Sequence, residues 1–141
     1  QKPQVDSVTV VERSEEVIEL FKKYILPQFT YPEKVSIICS DAYDFMDNRM
    51  IQGMYDYVLA DLWHDVSDGL DLYLKFKNRE HRFPGTQFDY WAEESLLSAV
   101  RWELFDLIVS TSSSEEEALH RLSDESLKKI ISADRVKCNF K

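Results

Sequence analysis

The sequence predicts an α/β fold, with parallel strands and flanking helices in its first half and a mostly helical carboxyl-terminal portion. Three observations carry that expectation. Three short apolar runs, at residues 8–11, 35–39 and 55–62, each close on or beside an acid. Helix-spaced apolar residues separate them, and strands that alternate with helices pair in parallel through crossovers. The first two runs are continuous rather than alternating in polarity, the pattern of a strand covered on both faces.

The opening unit is the clearest. Val8, Thr9, Val10 and Val11 are all β-branched and suit a packed strand, which Glu12 ends. Ser14 can cap a helix with Glu15 and Glu16 in its first turn and Lys22 and Lys23 in its last. Val17, Ile18, Leu20, Phe21, Tyr24 and Ile25 form its apolar stripe. After a break at residues 27–32, Val35–Cys39 reads as a second buried strand ended by Ser40 and Asp41. A short helix comes next, with Ala42, Phe45 and Met46 inward. It dissolves around residues 47–53, and the third strand, residues 55–62, again ends on an acid, Asp61.

Beyond Trp63 the texture changes. Residues 68–78 have helical spacing in Leu70, Leu72, Tyr73 and Phe76, and residues 79–86, with Pro84 and Gly85, read as a loop. Residues 87–109 form the longest helical candidate. Trp91, Leu96, Leu97, Val100, Leu104, Phe105 and Ile108 are available there for burial, and Trp91 and Trp102 are read as core or interface packing. Ser114 and Glu117 fit a capping box. Asp124 can cap a further helix through Leu127, Ile130 and Ile131, and residues 136–140 suggest a last short strand. The chain divides into residues 1–63 and a helical region, 64–141, of the same domain.

Composition narrows the function. At 141 residues the chain is about one domain long, and its 8 Phe, 7 Tyr and 3 Trp can build a core. A net charge of −9 without a basic cluster disfavours nucleic-acid binding, which depends on phosphate neutralisation. No apolar run approaches the roughly 20 residues of a membrane span, and the opening QKPQVDS is unlike a signal peptide. Cys39 and Cys138 are far apart with no Cys/His cluster, so reduced thiols, a cytoplasmic location and no metal site are expected.

The ordered set VTVVERSEEVIELFKKY, VSIICSDAYDFM and YDYVLADLW resembles the middle of a class I S-adenosylmethionine-dependent methyltransferase. More narrowly, it resembles the spermidine-synthase-like branch of that Rossmann-like fold. The resemblance covers residues 5–63. It implies that Glu12 binds the cofactor ribose, that Asp41 and Ala42 lie beside the adenine, and that Asp61 faces the reacting end of the ligand. The cofactor implied is S-adenosylmethionine or its decarboxylated relative. The acceptor is a small molecule receiving a methyl or aminopropyl group, and Asp61 deprotonates or orients an amine in the aminopropyl case. Each acid also has a plainer reading: Glu12 as a solvated strand end, Asp41 as the cap of the next helix. Trp63 could stack on a base or cation, and His64 could transfer protons, although a lone loop histidine is more often only solvated.

The departures are equally informative. The family's first strand ends in a glycine-rich loop, but the three glycines here, Gly53, Gly69 and Gly85, all lie downstream of the opening strand. The family's fifth strand, with its glycine turn, is not evident. The chain therefore reads as the carboxyl-terminal part of a longer protein, inactive alone, with a natural stand-alone domain lacking the loop as the other possibility. In the family's sheet the first strand lies between the second and fourth, so its loss leaves two open edges and self-association into a homo-oligomer is expected. The rival reading is a non-catalytic α/β module whose acidic helical half is a protein-interaction surface.

Overall fold

The computed structural model describes residues 2–63, 66–91 and 93–121, without the side chains of residues 66–68. The expected helix at Asp124, the strand at 136–140, and His64 fall outside the described residues. The chain forms two compact units, Gln1–Ile51 and Gln52–Lys141. It is mixed α/β, as expected, built on two separate pairs of short parallel strands.

In the first unit β1 (Val8–Glu12) pairs with β2 (Val35–Cys39), with Val8 opposite Val35 and Glu12 opposite Cys39. The crossover starts with α1 (Glu15–Leu20), capped by Ser14, whose Oγ accepts from the Val17 N–H at 3.3 Å. The helix loosens into a π turn over Phe21–Ile25 and a 3-10 turn over Leu26–Gln28, where Pro27 cannot continue the helical hydrogen bonding. After β2, α2 (Ala42–Asn48) buries Phe45 and Met46.

Two expectations for this unit are corrected. Neither strand is buried on both faces: β1 and β2 are half-buried or exposed throughout, and Cys39 is exposed. The stripe of α1 is also mostly open, with Ile18 buried but Val17, Leu20, Tyr24 and Ile25 exposed. Two strands and two short helices offer too little cover to enclose those side chains.

In the second unit β3 (Tyr57–Ala60) pairs in parallel with β4 (Gln87–Tyr90), through α3 (Val66–Lys77) and a 3-10 turn at Glu80–Arg82. Here the expected helix over residues 87–109 is corrected. Its first four residues are a strand, preceded by Gly85 at φ 97°, and the helix α4 begins at Glu93 and runs to Thr111. Gln87, Phe88, Asp89 and Tyr90 alternate between exposed and inward positions, the period of two that a half-covered strand requires. A short helix, α5 (Glu115–Arg121), packs back on α4. Ser114 and Glu117 close the expected capping box, with the Ser114 N–H donating to Glu117 Oε2 at 2.8 Å and the Glu117 N–H to Ser114 Oγ at 3.2 Å.

The core of this unit is aromatic. Trp63 stacks on Tyr90 with ring centroids 6.4 Å apart, and Tyr73 meets Tyr90 edge-to-face at 5.0 Å. Leu96, Leu97, Val100 and Leu104 of α4 complete it. No described helix is long and apolar enough to cross a membrane.

Candidate functional site

Parallel pairing carries the carboxyl ends of neighbouring strands to the same edge, so each pair gathers the residues just beyond its strands. In the first unit the Ser40 N–H donates to the Glu12 carbonyl at 3.0 Å, extending the ladder by one step and setting Glu12 beside the start of α2. Glu12 is half-buried, and its Oε1 accepts from the Ser14 N–H at 2.8 Å. The carboxylate retains acceptor capacity for two vicinal hydroxyls.

Asp41 is exposed and caps α2, its Oδ1 accepting from the N–H groups of Tyr43 at 2.8 Å and Asp44 at 3.1 Å. The plain reading of this residue is thus realised, and among the described residues its other oxygen accepts no hydrogen bond. Ala42 opens the helix, where the first backbone N–H groups lack intrahelical acceptors. Glu12, Asp41 and Ala42 therefore collect at one end of the β1–β2 pair.

Asp61 belongs to the second unit. It comes directly after β3 and is exposed, with no side-chain hydrogen bond or ion pair among the described residues. The Ala60 carbonyl beside it accepts from the Trp91 N–H at 2.9 Å. Trp91 is not in a helix, as the sequence suggested, but in the turn after β4, and its side chain is 46% exposed. Trp63 is no ligand platform: it is 5% exposed, and its Nε1–H donates to the Trp91 carbonyl at 3.0 Å. That bond anchors the turn next to Asp61.

A group of polar contacts behind this edge was not legible in the sequence. The Tyr73 hydroxyl donates to Glu93 Oε1 at 2.6 Å, and the Tyr90 hydroxyl donates to Glu80 Oε1 at 2.6 Å. Lys77 bridges the two carboxylates, 3.0 Å from Glu80 and 3.3 Å from Glu93, and lies 4.7 Å from the centroid of the Tyr90 ring. Burial first, then the carboxylate partner, pushes both phenols well above the ordinary tyrosine range. The group fastens α3, the 3-10 turn, β4 and the first turn of α4 to one another. Apart from Lys77–Glu80, an i,i+3 pair, its contacts join residues 10 to 20 apart in sequence and obey no local spacing.

A shallow concavity of about 430 Å³, bordered by Lys77, Glu80, His81 and Phe83 among others, lies at the amino end of β4. Asp61 does not line it, and parallel pairing puts that residue at the other end of the strands. Among the described residues no cluster of His, Cys, Asp or Glu could hold a metal ion. Comparison of the chain with family models, curated proteins and solved structures gives no match.

Proposed function

We propose that this chain is part of a cytoplasmic S-adenosylmethionine-dependent transferase of the spermidine-synthase-like kind. The group transferred is a methyl or aminopropyl group and the acceptor is a small molecule. The observation that carries this reading is the pairing of the strands. Among the described residues β1 pairs with β2 and β3 with β4, with Glu12 and Asp41 at the carboxyl end of one pair and Asp61 at that of the other, and each of the four strands keeps one edge unpaired. A sheet whose missing member belongs between the second and fourth strands of the family would divide in this way. Gln87–Tyr90, read as helix from the sequence, is a strand beside β3, the position the family's fifth strand would take.

The residues fit part of the cofactor. Glu12 suits the ribose hydroxyls, and Asp41 with Ala42 suits the edge of the adenine. No described glycine stands at a strand end to receive the methionine portion, so the glycine-rich loop must come from a further βα unit. Asp61, exposed at the end of β3, accepts the proton that an amine nucleophile loses. In methyl transfer its work is positioning.

Calorimetry tests the reading. S-adenosylmethionine should bind this chain weakly or not at all, and a micromolar dissociation constant would refute the need for a further unit. In a protein that carries the further βα unit, Glu12→Ala should weaken binding by about 1–3 kcal/mol. Asp61→Asn should lower turnover with cofactor affinity nearly intact. Unchanged affinity or unchanged turnover would remove the residue concerned from the site. The rival reading, a protein-interaction module, draws its support from the exposed apolar face of α4.

A further inference from the structure

Helix α4 (Glu93–Thr111) is apolar on two sides. Leu96, Leu97, Val100 and Leu104 face the core of the second unit. On the opposite side Trp102, Phe105 and Val109 are 68%, 53% and 62% exposed. The Trp102 and Phe105 rings meet edge-to-face at 5.8 Å, so the exposed residues form one continuous apolar surface. Three large side chains held together in water on a single helix mark a surface that binds something.

The spacing and the flanking charges identify what binds. Trp102, Phe105 and Val109 are separated by three and then four residues, the a, d, a pattern of a two-helix seam. Exposed Arg101 then falls at g and exposed Asp106 at e, on opposite flanks of the stripe. In a parallel pair of helices a g residue meets the e residue five positions further along the partner. Arg101 would meet Asp106 of a second copy, and Asp106 its Arg101, giving two ion pairs of opposite charge. In an antiparallel pair g flanks meet g flanks and e flanks meet e flanks, so Arg101 and Asp106 lie on flanks that never face each other and neither ion pair forms. The surface is therefore complementary to itself in the parallel arrangement alone. We infer that α4 docks against α4 of a second copy of this chain, in parallel, through Trp102, Phe105 and Val109. This inference does not depend on the transferase reading, and it uses a surface distinct from the open edges of β1 and β3.

Sedimentation equilibrium over a concentration series tests it. The chain should dimerise reversibly. The double variant Trp102→Ala, Phe105→Ala should remain monomeric over the same range with an unchanged circular dichroism spectrum, since both side chains are solvent-facing. Arg101→Glu or Asp106→Arg alone should weaken dimerisation roughly tenfold, because each turns two attractive pairs into two repulsive ones. Combining the two should restore affinity to within about threefold of the original. A chain that stays monomeric at every concentration would overturn the proposal and leave the stripe to a different partner. Association that survives loss of Trp102 and Phe105 would overturn it in favour of the strand edges. Failure of the charge swap to restore affinity would overturn the parallel arrangement.

Discussion

Gly69 lies in α3 directly against Trp63, and replacing it with alanine sets two effects of known size against each other. In a helix interior alanine is favoured over glycine by about 1 kcal/mol. The new Cβ, however, would lie 2.9 Å from Trp63 Cδ1, 3.0 Å from Trp63 Cγ and 3.1 Å from Leu96 Cδ2. Distances that short require the neighbours to move, and neither moves freely. Trp63 is stacked on Tyr90 and tied through Nε1 to the Trp91 carbonyl, and Leu96 is fully buried. Overpacking of this kind costs roughly 1–3 kcal/mol, and stretching the indole hydrogen bond adds about 1 kcal/mol. Gly69→Ala should therefore destabilise the second unit by about 1–3 kcal/mol net, measured by urea unfolding tracked through tryptophan fluorescence. In a Trp63→Phe background the smaller ring should relieve the clash, so the same substitution becomes neutral or stabilising. An alanine variant more stable than the parent, or the same penalty in both backgrounds, would refute the packing described for Trp63.

Three further outcomes are expected from the geometry. Tyr73 and Tyr90 have phenol pKa values raised by burial and by their carboxylate partners. Their contribution to stability is therefore full below the unfolded value of about 10 and is lost as pH rises past it. Urea midpoints measured from about pH 8 to 11 should fall, and Tyr90→Phe should lower the stability near pH 8 by about 1 kcal/mol while flattening the decline. Asp41→Ala should cost the first unit about 1 kcal/mol through loss of the α2 cap, detectable by thermal denaturation without any ligand present. Amide hydrogen exchange should separate neighbouring residues along the strands. The Glu12 and Ala60 carbonyls point toward their paired strands, so by alternation the N–H groups of Thr9, Val11, Tyr57 and Leu59 face the open edges. These should exchange faster than those of Val10 and Val58, and uniform protection would mean that the edges are covered.

Local pattern made some of this molecule legible and left other parts hidden. The β-branched run before Glu12, the Ser14 cap, the Asp41 cap and the Ser114–Glu117 box are all set by residues within a few positions of each other. They stand where the sequence placed them. The strand Gln87–Tyr90 carried its own signal, an alternation after Pro84 and Gly85, but four residues adjoining a nineteen-residue helix were absorbed into it. Burial was the least legible property. Val8, Leu20 and Trp102 look like core residues to any hydrophobic count, yet they are exposed, because cover depends on what packs against an element. The anchoring of Trp63 and the Lys77–Glu93 contact depend in the same way on residues brought together by the crossover.

The bond between the Ser14 N–H and Glu12 Oε1 has a consequence for recognition. A free glutamate side chain surrenders as much as about 1.5–2 kcal/mol of rotational entropy when it is fixed. Glu12 has already lost part of that freedom on folding, so a hydroxyl donor arriving there meets an acceptor whose direction is set. The residue that sets it also caps α1, since Ser14 Oγ receives the Val17 N–H. Fraying of the helix start and wandering of the carboxylate are thus one event. Linkage then runs both ways: whatever holds Glu12 in place steadies the first turn of α1, and whatever melts that turn weakens the grip of Glu12.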